Sequence, residues 1–449
     1  MTTSADLFLA SICSALGHTR QVSFTGSESL PSVYAATDLA AASIGAAGLA
    51  VARLMGGTPK VEIDRRLASL WFGWSFKAEG WEPPPAWDPV AGDYRAADGW
   101  IRLHTNAPRH RQAALSVLDA PAERTAVAAA VLRWNKDDLE TRIVAAGGCA
   151  AAMRSSADWL AHPQGAAVAA EPLIALSGHD APPKAWKPRP GRPLAGIRVL
   201  DLTRVLAGPV ATRFLAGYGA EILRIDPPDW DEGAVIPEVT LGKSCARLDL
   251  QKAEDRTRFE TLLAETDMLV HGYRADALET LGYGETARRD LNPNLIDVSL
   301  NAYGWTGPWR GRRGFDSLVQ MSAGIAATGM AEFQRDRPTP LPVQALDHAT
   351  GYLMAAAAVD ALTRRQRGEG VTAARLSLAR TAQLLAEGGV KEHGAAFAAS
   401  DADWQDEPEM TDWGPARRLR PPARIEGVPL SWDRPASRLG CTEANWRSG

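Results

Sequence analysis

The stretch VLDLTRVLAGPVATRFLAGYGAEILRID, residues 199–226, contains the pattern that decides the fold. An apolar run comes first, then a loop, then a helical run, and finally a second apolar run that ends in an acid. Pro209 stands in the first turn of the helical run and glycine follows its end, the positions that these residues prefer at helix boundaries. A strand, a helix and a second strand at this spacing predict two parallel strands of one sheet.

The same alternation continues to residue 302. The helical run AEDRTRFETLLAET is followed by the apolar runs DMLVHG and LIDVSLNAYG. We therefore predict an α/β fold, with a Rossmann-like parallel sheet that has helices on both faces. The first loop, TRVLAGP, lacks G-x-G-x-x-G, so we do not expect classical dinucleotide binding, although Asp226 stands where a ribose-binding acid would be.

The rest of the chain predicts a smaller α+β domain and a linker. YRAADGWIRLHTN, residues 94–106, reads as a hairpin turned at Asp98-Gly99, and residues 417–435 as an edge strand or wrapping tail. Residues 177–196 are dense in Pro, Gly and Lys and lack apolar periodicity. The predicted units are a helix-rich segment with the small domain (1–176), a linker (177–196), the Rossmann-like domain (197–345), and a helix, repeat copy and C-terminal strand (346–449).

A faint internal repeat pairs residues 37–72 with residues 346–385. Each copy runs from an acid through an Ala-rich helix, a Gly-bearing turn and a short strand to a second helix. Asp38 falls in the first copy where Asp347 falls in the second. The alternative is that two Ala-rich helices resemble each other by composition alone.

Composition narrows the class of protein. The chain has 449 residues and a net charge of −4, without the basic surplus of a nucleic-acid-binding protein. Its four cysteines lie far apart, which argues against a disulfide framework and a metal site. The N-terminus lacks a basic region before its apolar residues, and the longest apolar stretches are short and Ala-rich, so we expect no signal peptide and no membrane span. The expected location is the cytoplasm.

Asp347 is the first candidate for chemistry. It stands where the extended segment PVQA passes into an Ala-rich helix. An Asp at this point is either an N-cap or a carboxylate that the helix end holds ionised and oriented for attack. Its neighbour His348 is either a partner base or a side chain that points away, and we expect Asp316 to be a cap rather than a second acid.

Basic residues follow the predicted strands closely. Parallel sheets bind ligands in a crevice at the carboxyl ends of their strands, and a helix N-terminus there favours anions. We therefore expect a phosphate-bearing, adenine-bearing ligand in a crevice ringed by basic side chains. They are Arg204, Arg224, Lys243 and Arg274.

Five ordered motifs carry a family resemblance. PLAGIRVLDLTRVLAGP is followed by GKSCARLDL, TDMLVHGYRADALETLGYG, NPNLIDVSLNAYGWTGPWRGRRGFDSLVQMSAGIAATG and LPVQALDHATGYLMAAAAVDAL. In this order they resemble the family III CoA-transferases, the CaiB/BaiF group that includes carnitine-CoA and formyl-CoA transferases. The order of modules departs from that family: residues 94–175, which are similar to its smaller domain, here precede the nucleotide-binding half, and the copy at 37–72 marks the join.

The resemblance implies a CoA-transferase whose nucleophile is Asp347. It implies acyl-CoA as substrate with no permanently bound cofactor, a carboxylic acid as acceptor, and a homodimer. The CoA contacts that it implies are Val205, Leu206, Ala207, Lys243, Gly272, Tyr273, Arg274 and Tyr303. Departures from the family are the missing Gly-rich loop after the helix of Asp347, Leu206 where formyl-CoA transferase has Gln, and Pro227 in place of a basic residue.

Two other readings stay open. An α-methylacyl-CoA racemase-like isomerase would need a His in the segment that matches GFDSLVQM in addition to Asp347, yet residues 301–330 contain no His. The third reading is a non-catalytic homologue that binds acyl-CoA, which the missing Gly-rich loop favours and the retained Asp347 opposes. Asp38 could then be a relic of a second nucleophile.

Overall fold

The computed structural model describes residues 3–18, 22–56, 59–181, 185–272, 277–390 and 394–446. Tyr273 and Arg274 lie outside these ranges. The helices are α1 (Ser4–Ala15), α2 (Ala36–Met55), α3 (Arg65–Trp71), α4 (Pro108–Leu118), α5 (Arg124–Val131), α6 (Lys136–Ala145), α7 (Ser156–Ala161), α8 (Pro163–Ala170), α9 (Ala207–Gly217), α10 (Ile236–Val239), α11 (Ala253–Ala264), α12 (Ala277–Thr280), α13 (Glu285–Leu291), α14 (Asp316–Ser322), α15 (Ile325–Glu332), α16 (Ala345–Gln366) and α17 (Leu378–Glu387). The strands are β1 (Ser23–Thr25), β2 (Val61–Asp64), β3 (Phe76–Ala78), β4 (Gly92–Ala96), β5 (Gly99–Leu103), β6 (Ala150–Ala152), β7 (Ala175–His179), β8 (Arg198–Leu202), β9 (Glu221–Asp226), β10 (Lys243–Arg247), β11 (Met268–His271), β12 (Ile296–Asn301), β13 (Val371–Ser377), β14 (Glu409–Thr411), β15 (Gly414–Arg418) and β16 (Ala423–Ile425).

The main sheet has seven strands in the order β10-β9-β8-β11-β12-β13-β7. All neighbouring pairs from β10 to β13 are parallel, and β7 adds to β13 in the antiparallel direction. Numbered 1 to 6 from β8, the parallel strands lie in the order 3-2-1-4-5-6 of a doubly wound Rossmann sheet. The predicted α/β fold is confirmed, and the sheet order reverses between β8 and β11.

Helices cover both faces of this sheet. Alternate residues of a strand point to opposite faces. On β8, Val199 belongs to the core built with α9 and α16, whereas Leu200 packs on the other face with Phe259 of α11. Burial on two sides explains why β8 and β11 are mostly apolar.

The internal repeat is visible in three dimensions. The units α2–β2–α3 and α16–β13–α17 each run a long helix into a strand and then directly into a second helix. Each strand ends on an N-cap whose side chain accepts a backbone N–H three residues on, at 3.0 Å for Asp64 and 3.2 Å for Ser377. The long helices α2 and α16 pack against each other through their Ala-rich faces. Composition alone would not reproduce this shared backbone path.

A separate small domain and the tail agree with prediction in outline. The antiparallel sheet β4-β5-β6 and helices α4 to α6 enclose their own apolar core. The hairpin turns at Ala97 and Asp98, one residue before the predicted turn. In the tail, β16 is an edge strand as expected, but β15 is the middle strand of the sheet β14-β15-β3. The segment predicted as a linker begins inside β7, because that backbone pairs with β13.

One helix in the described part of the chain, α2, is long and apolar enough to cross a bilayer by length and composition. The expectation that its sequence is too short was wrong, because the helix extends beyond the apolar run to 20 residues. Buried positions make up 83% of its most apolar window, and the helix lies between α1 and α16. Its apolar character is thus used in the core.

Candidate active site

Asp347 lies at the carboxyl edge of the main sheet. It is the third residue of α16, a crossover helix between the parallel strands β12 and β13, and such a helix begins at the edge where the strands end. A Cβ atom added to Gly351 would lie 2.3 Å from the carbonyl oxygen of Ala207. The missing side chain therefore lets α16 touch the start of α9, which follows β8. This contact brings Asp347 within one helical turn of the loop at the strand-order reversal.

Asp316 caps the helix of Asp347. The backbone N–H of Asp347 donates to Oδ2 of Asp316 at 2.9 Å. Gln320 holds the other oxygen through its Nε2 and also accepts the N–H of Leu341 at 2.7 Å. Asp316 does not cap its own helix α14, whose N-cap is Phe315; its carboxyl group instead accepts a backbone N–H in the first turn of α16. This arrangement places two carboxyl groups side by side.

Both carboxyl groups are buried, and Asp347 is 8% exposed. Burial raises the pKa of Asp347 well above its ordinary value, and the negative charge of Asp316 raises it further. Burial also raises the pKa of Asp316 to about 6, against the hydrogen bonds from Gln320 and the N–H of Asp347. Among the described residues, no Lys, Arg or His forms an ion pair with either group.

Burial and the neighbouring Asp316 oppose the expectation that the helix end keeps Asp347 ionised, because both raise the pKa of Asp347. A helix N-terminus stabilises a negative charge by about 0.3–1 kcal/mol. One unit of pKa corresponds to about 1.4 kcal/mol. The helix dipole therefore lowers the pKa of Asp347 by less than about one unit. Burial beside a second carboxyl group raises that pKa by more than this.

His348 faces the core. Its ring stacks on Phe72 with 5.0 Å between the ring centres. Burial lowers its pKa to about 3, and the charge of Arg213 lowers it further. An uncharged imidazole packed on an aromatic ring agrees with the reading in which its side chain points away from Asp347.

Two of the predicted phosphate-binding cations lie inside the protein. Lys243 Nζ donates to Asp201 at 2.9 Å, reaching across β9, and both side chains are fully buried. Arg224 is equally buried and forms ion pairs with Asp226 and Glu232, both at 2.8 Å. Their expected place in an open crevice is wrong, since each cation is already neutralised by buried acids. Asp226 is likewise committed to Arg224 and not available as a ribose ligand.

The first loop does lie where a ligand crevice is expected. It follows β8 at the strand-order reversal, with Val205 partly exposed and Leu206 and Ala207 buried. Val205 has φ 63°, an unusual value for a β-branched residue. Its N–H donates to Glu232 at 2.6 Å, which holds the strained loop in place.

The remaining predicted CoA contacts differ in their exposure to solvent. Gly272 is exposed directly after β11, across the reversal point from the first loop. Tyr303 is buried instead: its hydroxyl lies 3.1 Å from that of Ser322, and its ring packs edge-on against Trp309. The prediction for Tyr303 therefore fails because its ring belongs to the packing between sheet and α14. The predicted residues Tyr273 and Arg274 fall outside the described residues.

Sequence reasoning missed a basic cleft between the small domain and the segment that precedes α16. Its volume is about 770 Å³, and the side chains that give it its character are Arg102, Arg124, Arg335, Arg337, Trp87 and Trp100. The segment QRDRPTP, just before the helix of Asp347, was the available signal. The other half of the cleft comes from the small domain, which is distant in sequence. A search of the described residues finds no cluster of His, Cys, Asp and Glu that could hold a metal ion.

Comparison with known proteins gives a family for this region. Residues 194–409 match the family described as CoA-transferase family III. The acetyl-coenzyme A transferase nodX of Hypoxylon pulicicidum is 33% identical over 42% of this chain and 34% of its own length. The probable fatty acyl-CoA transferase Rv3272 of Mycobacterium tuberculosis is 33% identical over 40% of this chain and 48% of its own. The succinyl-CoA–D-citramalate CoA-transferase of Chloroflexus aurantiacus gives the same three values.

A solved structure matches a similar share of the chain. The crystal structure of Rv3272 in its orthorhombic form matches 44% of this chain and 59% of that chain, with 30% identity and a TM-score of 0.42. The chain thus spans about a third to a half of the length of the curated relatives that it matches.

Proposed function

Since residues 194–409 match CoA-transferase family III, we propose that this protein moves CoA from an acyl-CoA thioester to a free carboxylic acid, with Asp347 as the nucleophile. The observation that carries the proposal is the environment of Asp347. Its carboxyl group is buried one helical turn from the contact with the first loop and lies beside Asp316, and among the described residues no cation forms an ion pair with it. A purely structural carboxylate would be expected to have a cation or several donors, as Asp201 has.

Burial and orientation are what a weak nucleophile needs. A carboxylate attacks a thioester slowly in water, and it gains from desolvation and from being held in attack geometry. The cap from Asp316 orients the first turn of α16, while the contact at Gly351 sets its distance from the first loop. The residues of this chain thus aim the carboxyl group at a substrate in the crevice.

The proposed reaction consists of exchanges between similar bonds. An ionised oxygen of Asp347 attacks the thioester carbonyl, and the C–S bond breaks to give a mixed anhydride and CoA thiolate. The thiolate attacks the Asp347 carbonyl of the anhydride and releases the first acid, which leaves an aspartyl-CoA thioester. The acceptor carboxylate attacks that thioester and expels the thiolate, forming a second mixed anhydride. The thiolate then attacks the acceptor carbonyl, which gives the new acyl-CoA and restores the Asp347 carboxylate.

Each attack places negative charge on a carbonyl oxygen, which needs N–H donors. The first N–H groups of a helix have no partner within it. In α9 these belong to Ala207 and Gly208, since Pro209 has no N–H. Their position after β8, next to α16, makes them the candidates for this role.

Trapping separates the three readings. Acyl-CoA is added to the wild-type protein, followed by hydroxylamine, and peptide mass spectrometry is used to search for a hydroxamate at Asp347. The adduct is expected in the wild type and in Asp38→Ala, the matched control, and not in Asp347→Ala. Exchange of the α-proton with deuterated solvent and no adduct would instead indicate a racemase. CoA binding without either signal would indicate a non-catalytic homologue.

The wider setting stays a prediction. Homodimerisation and a cytoplasmic location were expected from the resemblance and the composition, and both belong to this proposal. Light scattering coupled to size-exclusion chromatography tests the first, and fractionation of the source cells tests the second. A monomer that transfers CoA at full rate would contradict the expected assembly without affecting the role of Asp347.

A further inference from the structure

The first loop closes tightly between β8 and α9, and its middle residue is strained. Thr203 donates its N–H to the buried carboxylate of Asp201 at 2.9 Å. A Cβ atom added to Gly208 would lie 2.2 Å from the side chain of Thr203, so the start of α9 packs directly on the start of the loop. Val205 lies between these two ends with φ 63°. A β-branched residue in this left-handed region needs a contact from outside the loop to stay there.

Glu232, in the loop between β9 and α10, supplies that contact. Its carboxylate accepts the N–H of Val205 at 2.6 Å, and its side chain is 2% exposed. The same carboxylate accepts the indole N–H of Trp230 at 2.9 Å and forms an ion pair with Arg224 at 2.8 Å. Hydrogen bonds to an ionised group are about twice as strong as neutral ones. Glu232 therefore opposes relaxation of Val205 to a negative φ.

The loop that carries Glu232 is itself fixed. Arg247 of β10 donates to three of its carbonyl oxygens at 2.6 to 3.0 Å, those of Pro227, Pro228 and Trp230. The guanidinium group of Arg204, in the first loop, lies 4.5 Å from the ring centre of Trp230. These contacts join the ends of β8, β9 and β10 into one frame. Arg247 thus sets the position of Glu232 from a strand that does not carry the first loop.

Val205 lies two and three residues before the candidate oxyanion donors. The N–H groups of Ala207 and Gly208 begin α9, and their direction follows from the backbone angles of the residues before them. On the other side, Gly351 of α16 packs against the carbonyl oxygen of Ala207, one helical turn from Asp347. A change of φ at Val205 would turn these N–H groups relative to Asp347.

We propose that Glu232 is a positioning residue of the transferase site. By keeping Val205 left-handed, it holds the first N–H groups of α9 where the thioester oxygen gains negative charge. The inference rests on the proposed function, because it assigns Glu232 a part in that reaction. The alternative is a purely structural Glu232 that, like Asp226, only neutralises Arg224.

Two substitutions at this position separate the reach of the side chain from its charge. Glu232→Gln keeps an oxygen within reach of the Val205 N–H but removes the charge beside Arg224. Glu232→Asp keeps the charge but shortens the side chain by a methylene group, so the carboxylate no longer reaches Val205. We expect Glu232→Asp to lower kcat by about 10²-fold and Glu232→Gln by about tenfold or less, because misplaced oxyanion donors cost about that much. A purely structural Glu232 would give the opposite order.

The KM for acyl-CoA and a matched control complete the kinetic test. KM should change by less than about threefold in both variants, because oxyanion contacts form only in the transition state. Asp226→Asn weakens the other ion pair of Arg224, also at 2.8 Å, and leaves the bond from Val205 to Glu232 in place. It should leave kcat within about threefold of the wild-type value. Equal losses of kcat in Asp226→Asn and Glu232→Asp would overturn the inference.

A further substitution tests whether strain at Val205 is the link. Glycine adopts φ 63° without strain. In a Val205→Gly background, Glu232→Asp should therefore lower kcat by about tenfold less than in the wild-type background. An equal loss in both backgrounds would contradict the inference. Folding of every variant is checked by circular dichroism and thermal melting.

Hydrogen exchange followed by peptide mass spectrometry measures the loop without turnover. Glu232→Asp should speed exchange in the peptide that contains Val205, whereas Asp226→Asn should not. Faster exchange with unchanged kcat would overturn the inference alone, and hydroxamate trapping at Asp347 in the wild type would still support the transferase. The lack of a hydroxamate in the wild type would overturn the transferase and, with it, the role of Glu232 in the reaction. The two proposals therefore fail with different signatures.

Discussion

The helices α2 and α16 begin alike and end up in different electrostatic settings. The residues before them, Ala35 and Gln344, have nearly the same backbone angles, with φ −73° and ψ 56° in one and φ −77° and ψ 63° in the other. Each helix then carries an Asp as its third residue. Asp38 forms an ion pair with Arg65, whereas Asp347 lies beside Asp316 and has no ion pair within the described part of the chain.

The difference shows that the same local motif gives both helices the same backbone path, but does not give their Asp residues the same electrostatic environment. The neighbour that meets the carboxyl group comes from a different part of the chain in each case. An arginine makes Asp38 a structural ion pair. A second acid makes Asp347 a group whose charge is costly, which is a common property of functional sites.

The largest expected effect is on catalysis. Asp347→Asn should lower the CoA-transfer rate by on the order of 10³-fold or more, because the nucleophilic oxygen is lost. Asp38→Asn should leave it nearly unchanged. The rate is measured from acyl-CoA to a carboxylic acid by chromatography. Equal losses in the two variants would show that the helices do not differ in function.

The second effect is on packing. Gly351→Ala would place a Cβ atom 2.3 Å from a backbone oxygen of α9, which cannot yield without moving the helix. We expect a loss of about 1–3 kcal/mol in the free energy of unfolding and a lower transfer rate. In Gly45→Ala in α2 the added Cβ atom meets only side-chain carbon atoms, at 3.4 Å or more, and the change should be tolerated. Urea unfolding of both variants measures the difference.

The third effect is on the free energy of unfolding, which replacement of Asp by Asn should raise in α16 and lower in α2. Folded Asp316 and Asp347 keep their proton to higher pH than unfolded carboxyl groups do. Ionisation of Asp316 therefore destabilises the fold as pH rises from about 4 through about 6, and ionisation of Asp347 destabilises it further as pH rises. Asp347→Asn should therefore stabilise the protein by about 1–3 kcal/mol at pH 8 and by little at pH 4. Asp38→Asn should cost about 0–1 kcal/mol at pH 8, because it breaks a partly exposed ion pair. Unfolding at several pH values tests both signs.

The smallest effect is a shift in the pH profile. Attack requires ionised Asp347, so the transfer rate should rise with pH as Asp347 loses its proton. Asp316→Asn removes the neighbouring negative charge, which lowers the pKa of Asp347 and moves this rise to lower pH by about one unit. The measurement is the transfer rate between pH 4 and pH 9. A shift to higher pH would mean that Asp316 helps Asp347 through its hydrogen bond rather than raising its pKa.

Much of the fold was readable from the chain, and the site was readable in part. The alternation of apolar and helical runs predicted the parallel sheet, and the repeat predicted that the Asp38 and Asp347 units share a path. The expected roles of Lys243 and Tyr303 failed for a common reason. The type of a residue and its position after a strand do not show which buried side chain it will bind in the folded protein. Here that partner is Asp201 for the lysine and Ser322 for the tyrosine.

By itself, the amino-acid sequence determined the elements, their order along the chain and the residue at the start of α16, because periodicity and capping act between residues close in sequence. Only the tertiary structure decided which charges meet. The approach of Asp316 to Asp347, the burial of Lys243 and the assembly of the basic cleft join segments up to 253 positions apart, from Trp87 to Pro340. Electrostatic interactions depend on distance and burial in space, so no local pattern encodes them.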